Sequence, residues 1–253
     1  MLPASWPTGR LALGMWVKIA APEVVELAAL AGFDFVVLDM EHAPLGIAEV
    51  ARLVPVATGS GVAPFVRVPE AIGSTAGRVL DAGAAGVLLP RVDSVAIAHA
   101  AAAACRFPPQ GTRGAGNTSR AGAWGLRPMP DYLRDGAEQV AVIAQIESRA
   151  AVDAVAGIAA VPGIDGVFVG PADLRLSLGG AGPRSELTDA VRAVEAHCRA
   201  AAVPMGTVAA DASAVAELAA SRYRFAVLGN DATLLAMAAR DVVAAGRAVG
   251  FYA

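Results

Sequence analysis

Eight short apolar segments alternate along the chain with alanine-rich stretches, and this alternation limits the folds that the sequence can adopt. The segments are rich in Val, Ile, Leu and Phe, and several are almost continuously apolar, as strands buried on both faces are. They cover residues 11–17, 33–39, 63–68, 85–90, 140–147, 166–170, 204–209 and 224–229. The stretches between them, such as 22–32 and 213–223, place apolar residues at helical spacing, and some end at a glycine.

A strand followed by a helix, repeated eight times, predicts parallel βαβ units. Eight such units in 253 residues favour an α/β fold of one domain, the closed (β/α)8 TIM barrel, over an open doubly wound sheet. We expect this domain to span residues 1–253, and residues 230–253 to form one terminal helix. The spacing breaks once: residues 106–130, rich in Gly, Pro and Arg, are predicted to form a long loop.

Composition excludes several classes of protein. The mean hydropathy is +0.54, but no window offers the roughly 18 uninterrupted apolar residues that a membrane span needs. The net charge is −3 and the sequence has no Lys/Arg cluster, so it lacks the basic surface that nucleic-acid-binding proteins have. The first residues lack the basic-then-apolar order of a signal peptide. Cys105 and Cys198 lie in no metal or redox motif, so we expect buried, reduced thiols in a cytoplasmic protein.

Polar residues at the carboxyl ends of the predicted strands form the candidate site, because that end of a barrel carries function. They are Asp39 and His42 after the second segment, Arg67 in the third, Gln145 and Glu147 in the fifth, Asp173 after the sixth, and Asn230 and Asp231 after the eighth. Taken singly, an aspartate there is more often a cap, and a lone histidine is more often structural. Arg67 is harder to explain, because a buried guanidinium needs an anion or several carbonyls.

Glu147 and Asp173 fit a site for a hard metal ion. They follow neighbouring strands, and two carboxylates completed by water and substrate oxygens suit Mg²⁺ or Mn²⁺. The alternative for Glu147 is a salt bridge with Arg149 or another arginine. Zinc would need more histidine or cysteine ligands than His42 supplies at this rim. The backbone N–H groups of Ala172 and Asp173 could also hold a carboxylate.

Six segments, taken in order, resemble the HpcH/HpaI aldolases. They are EHAP (41–44), VRVP (66–69), LDAGAAGVLLP (80–90), FPPQGTRG (107–114), QIE (145–147) and GIDGVFVGPADL (163–174). The resemblance covers nearly the whole chain and implies a (β/α)8 barrel with class II pyruvate aldolase activity. It implies reversible cleavage of a 4-hydroxy-2-oxoacid to pyruvate and an aldehyde, through a pyruvate enolate at a divalent metal ion. Mg²⁺ or Mn²⁺ is expected, with Co²⁺ as a further option.

The resemblance also implies roles for individual residues. In the matching positions, His42 is the general base, Asp39 its hydrogen-bonding neighbour, Arg67 the group that stabilises the oxyanion, Glu147 and Asp173 the metal ligands, and Gln145, Ala172 and Asp173 the contacts to the pyruvate portion. Arg67 is thereby expected to contact the substrate as well. Whether His42 or a water on the metal is the proximate base stays open.

Asp81 matches an aspartate that raises the basicity of the histidine, but it precedes its own strand. It should therefore lie at the opposite end of the barrel from its own site, and we expect it to serve the site of a neighbouring subunit. The resemblance implies a homo-oligomer, a hexamer built as a trimer of dimers, with the last helix exchanged between subunits. The expected partners are small-molecule substrates, with no nucleic acid and no membrane.

Other readings stay open beside this one. The same enolate chemistry could serve oxaloacetate decarboxylation or another carbon–carbon lyase or synthase reaction. A barrel that only binds a small acid or serves assembly is a third reading. Four intact site residues argue against it: His42, Arg67, Glu147 and Asp173. A Schiff-base aldolase would need a lysine desolvated within the barrel, and Lys18, the only lysine of the chain, lies just past the first predicted strand.

Two tryptophans also have open roles. Trp16 either walls the site or belongs to the core. Arg113 and Arg120, with Trp124, either shape an aldehyde pocket or subunit contact, or hold the long loop by ordinary carbonyl contacts.

Overall fold

The computed structural model describes residues 9–180 and 184–248, and these form a closed barrel of eight parallel strands inside a layer of helices. The strands are β1 Ala12–Val17, β2 Phe35–Asp39, β3 Ala63–Arg67, β4 Gly86–Leu89, β5 Ala141–Ile146, β6 Gly166–Val169, β7 Met205–Ala209 and β8 Phe225–Asn230. The α-helices are α1 Pro22–Leu30, α2 Ile47–Gly59, α3 Thr75–Asp81, α4 Val95–Cys105, α5 Met129–Glu138, α6 Arg149–Ala159, α7 Pro171–Ser177, α8 Arg184–Ala200, α9 Ala212–Ala220 and α10 Asp231–Ala248. Each strand pairs with the next in sequence, and β8 pairs with β1 to close the barrel.

All eight predicted strands are confirmed, each within two residues of its expected bounds. The terminal helix is confirmed over Asp231–Ala248, while residues 249–253 lie outside the described part of the chain. Two helices were not predicted: α5 follows the long loop, and the short α7 starts directly after β6. The loop itself is confirmed over residues 106–128, apart from a single 3₁₀ turn at Ala123–Gly125.

The barrel interior follows from the two-residue period of a strand, which sends alternate side chains to opposite faces. In β2, Phe35 and Val37 point into the barrel, whereas Val36 and Leu38 pack against the helices. The rings of Phe35, Phe65, Phe168 and Phe225 fill the interior with edge and stacked contacts. Glycines at the paired positions of neighbouring strands leave room for several of these rings. A Cβ on Gly14, for example, would lie 2.2 Å from the Phe35 ring. The same period makes the last inward positions of the strands the floor of the site.

Polar residues begin several of the helices that cover the barrel. Ser94 and Ser148 accept hydrogen bonds from backbone N–H groups of α4 and α6, at 3.2 and 3.0 Å, as N-caps do. Asp211 caps α9 in the same way, with its Oδ1 2.9 Å from the Ala214 nitrogen. Among the described residues, no helix combines the length and apolar character needed to cross a bilayer.

Both cysteines are buried and free, as expected. Burial raises the pKa of the Cys105 thiol to about 12 and that of Cys198 to about 11, so neither is poised for thiolate chemistry.

The last helix leaves most of its apolar side chains in solvent. Only Asp231, at its first position, is buried. The exposed apolar residues of α10 are Leu234, Leu235, Met237, Val242 and Val243. The helix packs chiefly against the ends of β1 and β8. Its apolar surface is therefore uncovered within a single chain.

Candidate active site

An ion pair joins the carboxyl ends of two neighbouring strands. Asp39 and Arg67 are register partners in β2 and β3, and both point into the barrel as the last residues of their strands. Arg67 donates two hydrogen bonds to the carboxylate, from Nε to Oδ1 at 2.9 Å and from Nη2 to Oδ2 at 2.8 Å. Its guanidinium carbon lies 4.3 Å from the centre of the Trp16 ring. Trp16 thus packs against Arg67 on one side and against Phe168 in the core on the other.

Asp39 gathers more donors than Arg67 alone. Lys18 Nζ contacts Asp39 Oδ2, and the backbone N–H groups of Glu41 and His42 both lie 3.2 Å from Oδ1. Burial would raise the pKa of the Asp39 carboxyl, but Arg67, Lys18 and the His42 N–H together lower it from its ordinary 3.8 to about 2. The Asp39 carboxylate is therefore ionised and fully buried, and it fixes the backbone of the loop that begins at Glu41 and His42.

The β1–α1 turn that carries Lys18 is itself held by the first residue of α10. The Asp231 carboxylate accepts hydrogen bonds from the Lys18 nitrogen, at 2.9 and 3.0 Å, and from the Ile19 nitrogen at 2.8 Å. Asp231 was predicted at the rim, and its contact is with backbone rather than with the cavity.

The His42 imidazole faces Glu41 rather than Asp39. His42 Nε2 lies 3.8 Å from Glu41 Oε2, and 55 % of the His42 side chain is exposed at the mouth of the barrel. Asp39 reaches His42 only through its backbone N–H. Arg67 Nη1 lies 3.1 Å from the same Glu41 oxygen, although in the described chain that oxygen accepts no hydrogen bond of acceptable geometry. Burial raises the pKa of the Glu41 carboxyl, and the charge of Arg67 opposes that rise.

A cavity of about 300 Å³ opens beside this ion pair. It is lined by Glu41, His42, Arg91, Asp93, Glu147, Ser148, Asp173 and Ser177. The two residues predicted to bind metal, Glu147 and Asp173, thus share one space with the predicted base, His42.

Glu147 is a buried carboxylate without a cationic partner in the described part of the chain. Its Oε1 accepts a hydrogen bond of 2.7 Å from the Arg91 nitrogen, and its Oε2 accepts one from Gln145 Nε2. Arg149, the alternative partner considered from the sequence, pairs with Glu186 instead. Burial raises the pKa of the Glu147 carboxyl, and the negative charges of Glu41 and Asp173 add to that rise.

These residues fit a divalent cation. Gln145 Oε1 is buried and accepts no hydrogen bond from the described residues, which leaves an oxygen free for a ligand. Gly170 closes the space: a Cβ there would lie 3.0 Å from Gln145 Nε2 and 3.1 Å from the Glu147 Cβ. Within the described ranges, no group of three His, Cys, Asp or Glu side chains could hold a metal by itself. Two carboxylates would therefore leave the remaining positions to water and substrate, as Mg²⁺ sites often do.

Asp173 and Ala172 lie in the first turn of α7, directly after β6. Both are exposed, and the backbone N–H groups of a first helical turn have no acceptor within the helix. Asp173 lines the cavity, whereas Ala172 lies just outside its lining.

Asp81 lies at the other end of the barrel, where α3 leads into β4. Its Oδ1 accepts a hydrogen bond of 2.7 Å from Arg113 and a longer one, 3.4 Å, from the Tyr132 hydroxyl. Arg113 is buried and also stacks on Phe107, at 4.5 Å. The long loop is thus held against α3 by a partly buried ion pair, and in this chain Asp81 does not meet His42.

The other loop residues considered from the sequence lie near this end as well. Arg120 stacks on Trp124 at 5.4 Å, and Trp124 is 66 % exposed. Neither residue lines the cavity that holds His42 and Glu147.

Sequence reasoning missed several residues of the cavity. The strand-end pattern does not single out Arg91, Asp93, Ser148 or Ser177, and from the sequence Lys18 enters only as a potential Schiff-base residue. Arg91 and Asp93 directly follow the fourth predicted strand, so an inspection of that strand end would have found them.

Comparison with known proteins decides the family. The model of the HpcH/HpaI aldolase/citrate lyase family matches residues 12–238. The chain belongs to this family. It is therefore an enzyme of an aldolase and lyase family, and its barrel is the fold that the family resemblance implied.

Individual members of the HpcH/HpaI family are similar over nearly their full length. A hydroxypyruvate/pyruvate aldolase of Roseovarius nubinhibens is 36 % identical and covers 95 % of this chain and 94 % of its own. A 5-keto-4-deoxy-D-glucarate aldolase of Salmonella paratyphi A is 37 % identical, over 88 % of this chain and 87 % of its own. A solved family member from Burkholderia cenocepacia superposes with a TM-score of 0.87 at 36 % identity, covering 94 % of this chain and 95 % of its own.

A further solved structure is similar over most of the chain. A solved protein named citrate synthase SbnG superposes with a TM-score of 0.85 at 28 % identity, covering 94 % of both chains.

Proposed function

We propose that this chain is a divalent-metal-dependent aldolase that reversibly cleaves a 4-hydroxy-2-oxoacid to pyruvate and an aldehyde. The observation that carries the proposal is the single cavity shared by Glu147, Asp173 and His42, beside the Asp39–Arg67 pair. The names of the Roseovarius and Salmonella relatives, both aldolases of oxo acids, support it.

Glu147 and Asp173 would hold the metal ion, with Mg²⁺ or Mn²⁺ preferred for an all-oxygen donor set. When bound, such a cation supplies Lewis-acid polarisation of a 2-oxoacid and a template for its orientation. The free oxygen of Gln145 and the first-turn N–H groups of Ala172 and Asp173 would bind the pyruvate portion.

His42 would move the proton. Its imidazole stands at the mouth of the cavity with half its surface in solvent, so it can exchange a proton with water between turnovers. In condensation it takes a proton from the pyruvate methyl group, and the methyl carbon then bonds to the aldehyde carbon. The aldehyde oxygen takes up a proton. Cleavage reverses these steps, with His42 accepting the proton of the 4-hydroxyl group.

Arg67 would stabilise the negative charge that develops on the substrate oxygen. It is buried and held in place by two hydrogen bonds to Asp39 and by the Trp16 ring, so its charge needs no reorganisation during the reaction. Asp39 and Lys18 would act as positioning residues, because Asp39 fixes both Arg67 and the His42 backbone.

We further propose a homo-oligomer, a hexamer of the trimer-of-dimers type, in which α10 is exchanged between subunits. The support is the uncovered apolar surface of α10, together with exposed Leu27 and Leu30 on α1. In such an assembly Asp81 would serve the site of a neighbouring subunit. Mixing His42→Ala with Asp81→Ala protein after subunit exchange should then restore activity, whereas sites complete within one chain would stay inactive. The cytoplasmic location stays a prediction.

A second candidate reaction uses the same enolate with another electrophile, and the similarity to the named citrate synthase favours it. Oxaloacetate decarboxylation is the simplest variant. Loss of CO₂ generates the enolate without removal of a methyl proton, so decarboxylation should survive His42→Ala much better than proton exchange does.

Exchange of the pyruvate methyl protons with D₂O tests the proposal. We expect exchange that depends on added Mg²⁺ or Mn²⁺, stops with EDTA, and is lost in His42→Ala with metal affinity retained. Glu147→Ala should lose both metal affinity and exchange. Exchange that is absent with every metal would favour a binding protein, and Glu147→Ala with normal metal affinity would show that the ligand assignment is wrong.

A further inference from the structure

Arg91 is the one arginine or lysine side chain among the described residues that line the cavity. The other charged groups of the lining are the carboxylates of Glu41, Asp93, Glu147 and Asp173. Despite these acids, the Arg91 guanidinium makes no hydrogen bond or ion pair within residues 9–180 and 184–248, and the residue is exposed. The proposed reaction assigns no role to this cation.

The backbone of Arg91 is held in a conformation that L-residues rarely adopt. Its φ is +53°, in the left-handed region, although it is not a glycine. Its N–H donates to Glu147 Oε1 at 2.7 Å, and its carbonyl accepts from the Asp93 nitrogen at 3.0 Å. Strain of this kind persists only where the surroundings fix it, and it is concentrated at ligand sites.

The residues on either side of Arg91 are anchored as well. Val92 is completely buried, and the Asp93 carboxylate accepts a hydrogen bond of 2.5 Å from Ser148 Oγ. Asp93 is therefore engaged on α6 instead of neutralising Arg91. A fixed backbone thus presents a single unpaired guanidinium to the cavity, one hydrogen bond away from the predicted metal ligand Glu147.

We propose that Arg91 is a specificity-determining residue that binds a terminal carboxylate on the aldehyde substrate, and equally the distal carboxylate of the 4-hydroxy-2-oxoacid formed from it. The inference rests on the proposed aldolase function. Glu147 and Asp173 would hold the metal ion and the pyruvate portion. Among the described residues that line the same cavity, the exposed Arg91 side chain is the unpaired cation, so it is free to bind the other end of the substrate. A guanidinium matches a carboxylate with two parallel hydrogen bonds.

The acidic lining of the cavity favours a carboxylate over a phosphate as the group that Arg91 binds. One guanidinium compensates one negative charge, whereas a phosphate dianion would meet the surrounding carboxylates with a charge left over. Glyceraldehyde 3-phosphate is therefore expected to be a poorer acceptor than a carboxylate-bearing aldehyde.

Condensation kinetics with a matched pair of aldehydes test the assignment. Succinate semialdehyde carries the carboxylate, and its methyl ester has nearly the same shape without the charge. With saturating pyruvate, we expect the wild type to prefer the acid and Arg91→Gln to raise its KM for the acid by about tenfold or more, with the ester changed by less than about twofold. Arg91→Lys should retain part of the preference, because the charge remains.

Arg149→Gln is the matched control. It removes an arginine at the start of α6 whose side chain pairs with Glu186 and does not line the cavity, so it should behave as the wild type does. The assignment is overturned if Arg91→Gln slows both aldehydes equally, if the wild type does not prefer the acid, or if the phosphorylated aldehyde is the Arg91-dependent substrate. The exchange of pyruvate methyl protons is measured without any aldehyde. It therefore tests the aldolase proposal independently of Arg91: lost exchange in the wild type would contradict the aldolase proposal, whereas normal exchange with no preference for the acid would contradict only the role of Arg91.

Discussion

Asp39 and Arg67 occupy equivalent positions at the ends of β2 and β3, and their side chains meet in a two-point ion pair above the Trp16 ring. Two strands that pair in register place the same position of each strand at the same height in the barrel. The inward alternation that buries the register partners Val37 and Phe65 one layer below therefore also brings this carboxylate and this guanidinium together. The interior packing and the site are consequences of one pattern.

Arg67→Lys is predicted to cost stability and activity together. A lysine brings one point charge, which cannot satisfy both Asp39 oxygens, approach Glu41 and stack on Trp16 at once. We expect a loss of roughly 2–4 kcal/mol in the free energy of unfolding and a fall of about a hundredfold or more in pyruvate methyl exchange. Denaturant unfolding and exchange rates measure the two effects.

Arg52→Lys is the control for that substitution. Arg52 pairs with Glu49 on the exposed face of α2, at 2.9 Å, and an exposed pair contributes at most about 1 kcal/mol. If the two lysine variants lost equal stability, the buried ion pair would not have the importance assigned to it.

The free energy of unfolding is predicted to fall in strong acid, because the buried Asp39 carboxylate becomes protonated there. Its folded-state pKa is about 2, below the ordinary 3.8, so its contribution is present above pH 4 and is lost as the pH falls through 2. Asp39→Asn removes this contribution at every pH. The stability difference between wild type and variant should therefore shrink by on the order of 2 kcal/mol between pH 5 and pH 2. A difference that is constant over this range would show that Asp39 is not held ionised by its partners.

The sequence predicted best the elements that follow from the spacing of apolar residues, above all the eight strands. Continuous apolar runs located the strands, and the carboxyl-end rule placed Glu147 and Asp173 in one cavity with His42. The resemblance supplied the roles of these residues, and the roles stay predictions. The hexamer and the function of Asp81 stay predictions as well.

What sequence reasoning could not predict depends on contacts between distant segments. The engagement of Lys18 with Asp39 follows from where the β1–α1 turn lies over β2, and that turn is positioned by Asp231, more than two hundred residues away. The orientation of the His42 ring toward Glu41 depends on side-chain geometry within a tight loop. Neither leaves a periodic signal in the chain.

Gly14→Ala is predicted to destabilise the barrel. Its Cβ would lie 2.2 Å from the Phe35 ring, which other aromatic rings hold in place. Overpacking of a core typically costs about 1–3 kcal/mol. The helical Gly246 has no atom within 4 Å of such a Cβ, so Gly246→Ala should be neutral or stabilising by up to about 1 kcal/mol. Thermal unfolding of the two variants compares them, and equal transitions would mean that the barrel interior can relax around the added methyl group.

Asp231→Asn is predicted to loosen the site from a distance. The carboxylate accepts from the Lys18 and Ile19 nitrogens, and an amide can place only one acceptor oxygen there while its NH₂ group faces an N–H. We expect faster amide hydrogen exchange at residues 18 and 19, a loss of about 1–3 kcal/mol in stability and a reduced kcat, because Lys18 no longer holds Asp39 in place. Asp211→Asn is the matched control: the Asp211 carboxylate accepts one bond, from the Ala214 nitrogen, and an amide oxygen can accept it equally, so exchange at residues 18 and 19 should stay at the wild-type rate. If residues 18 and 19 exchanged at the wild-type rate in Asp231→Asn, the first residue of α10 would not position Lys18, and any loss of activity would need another cause.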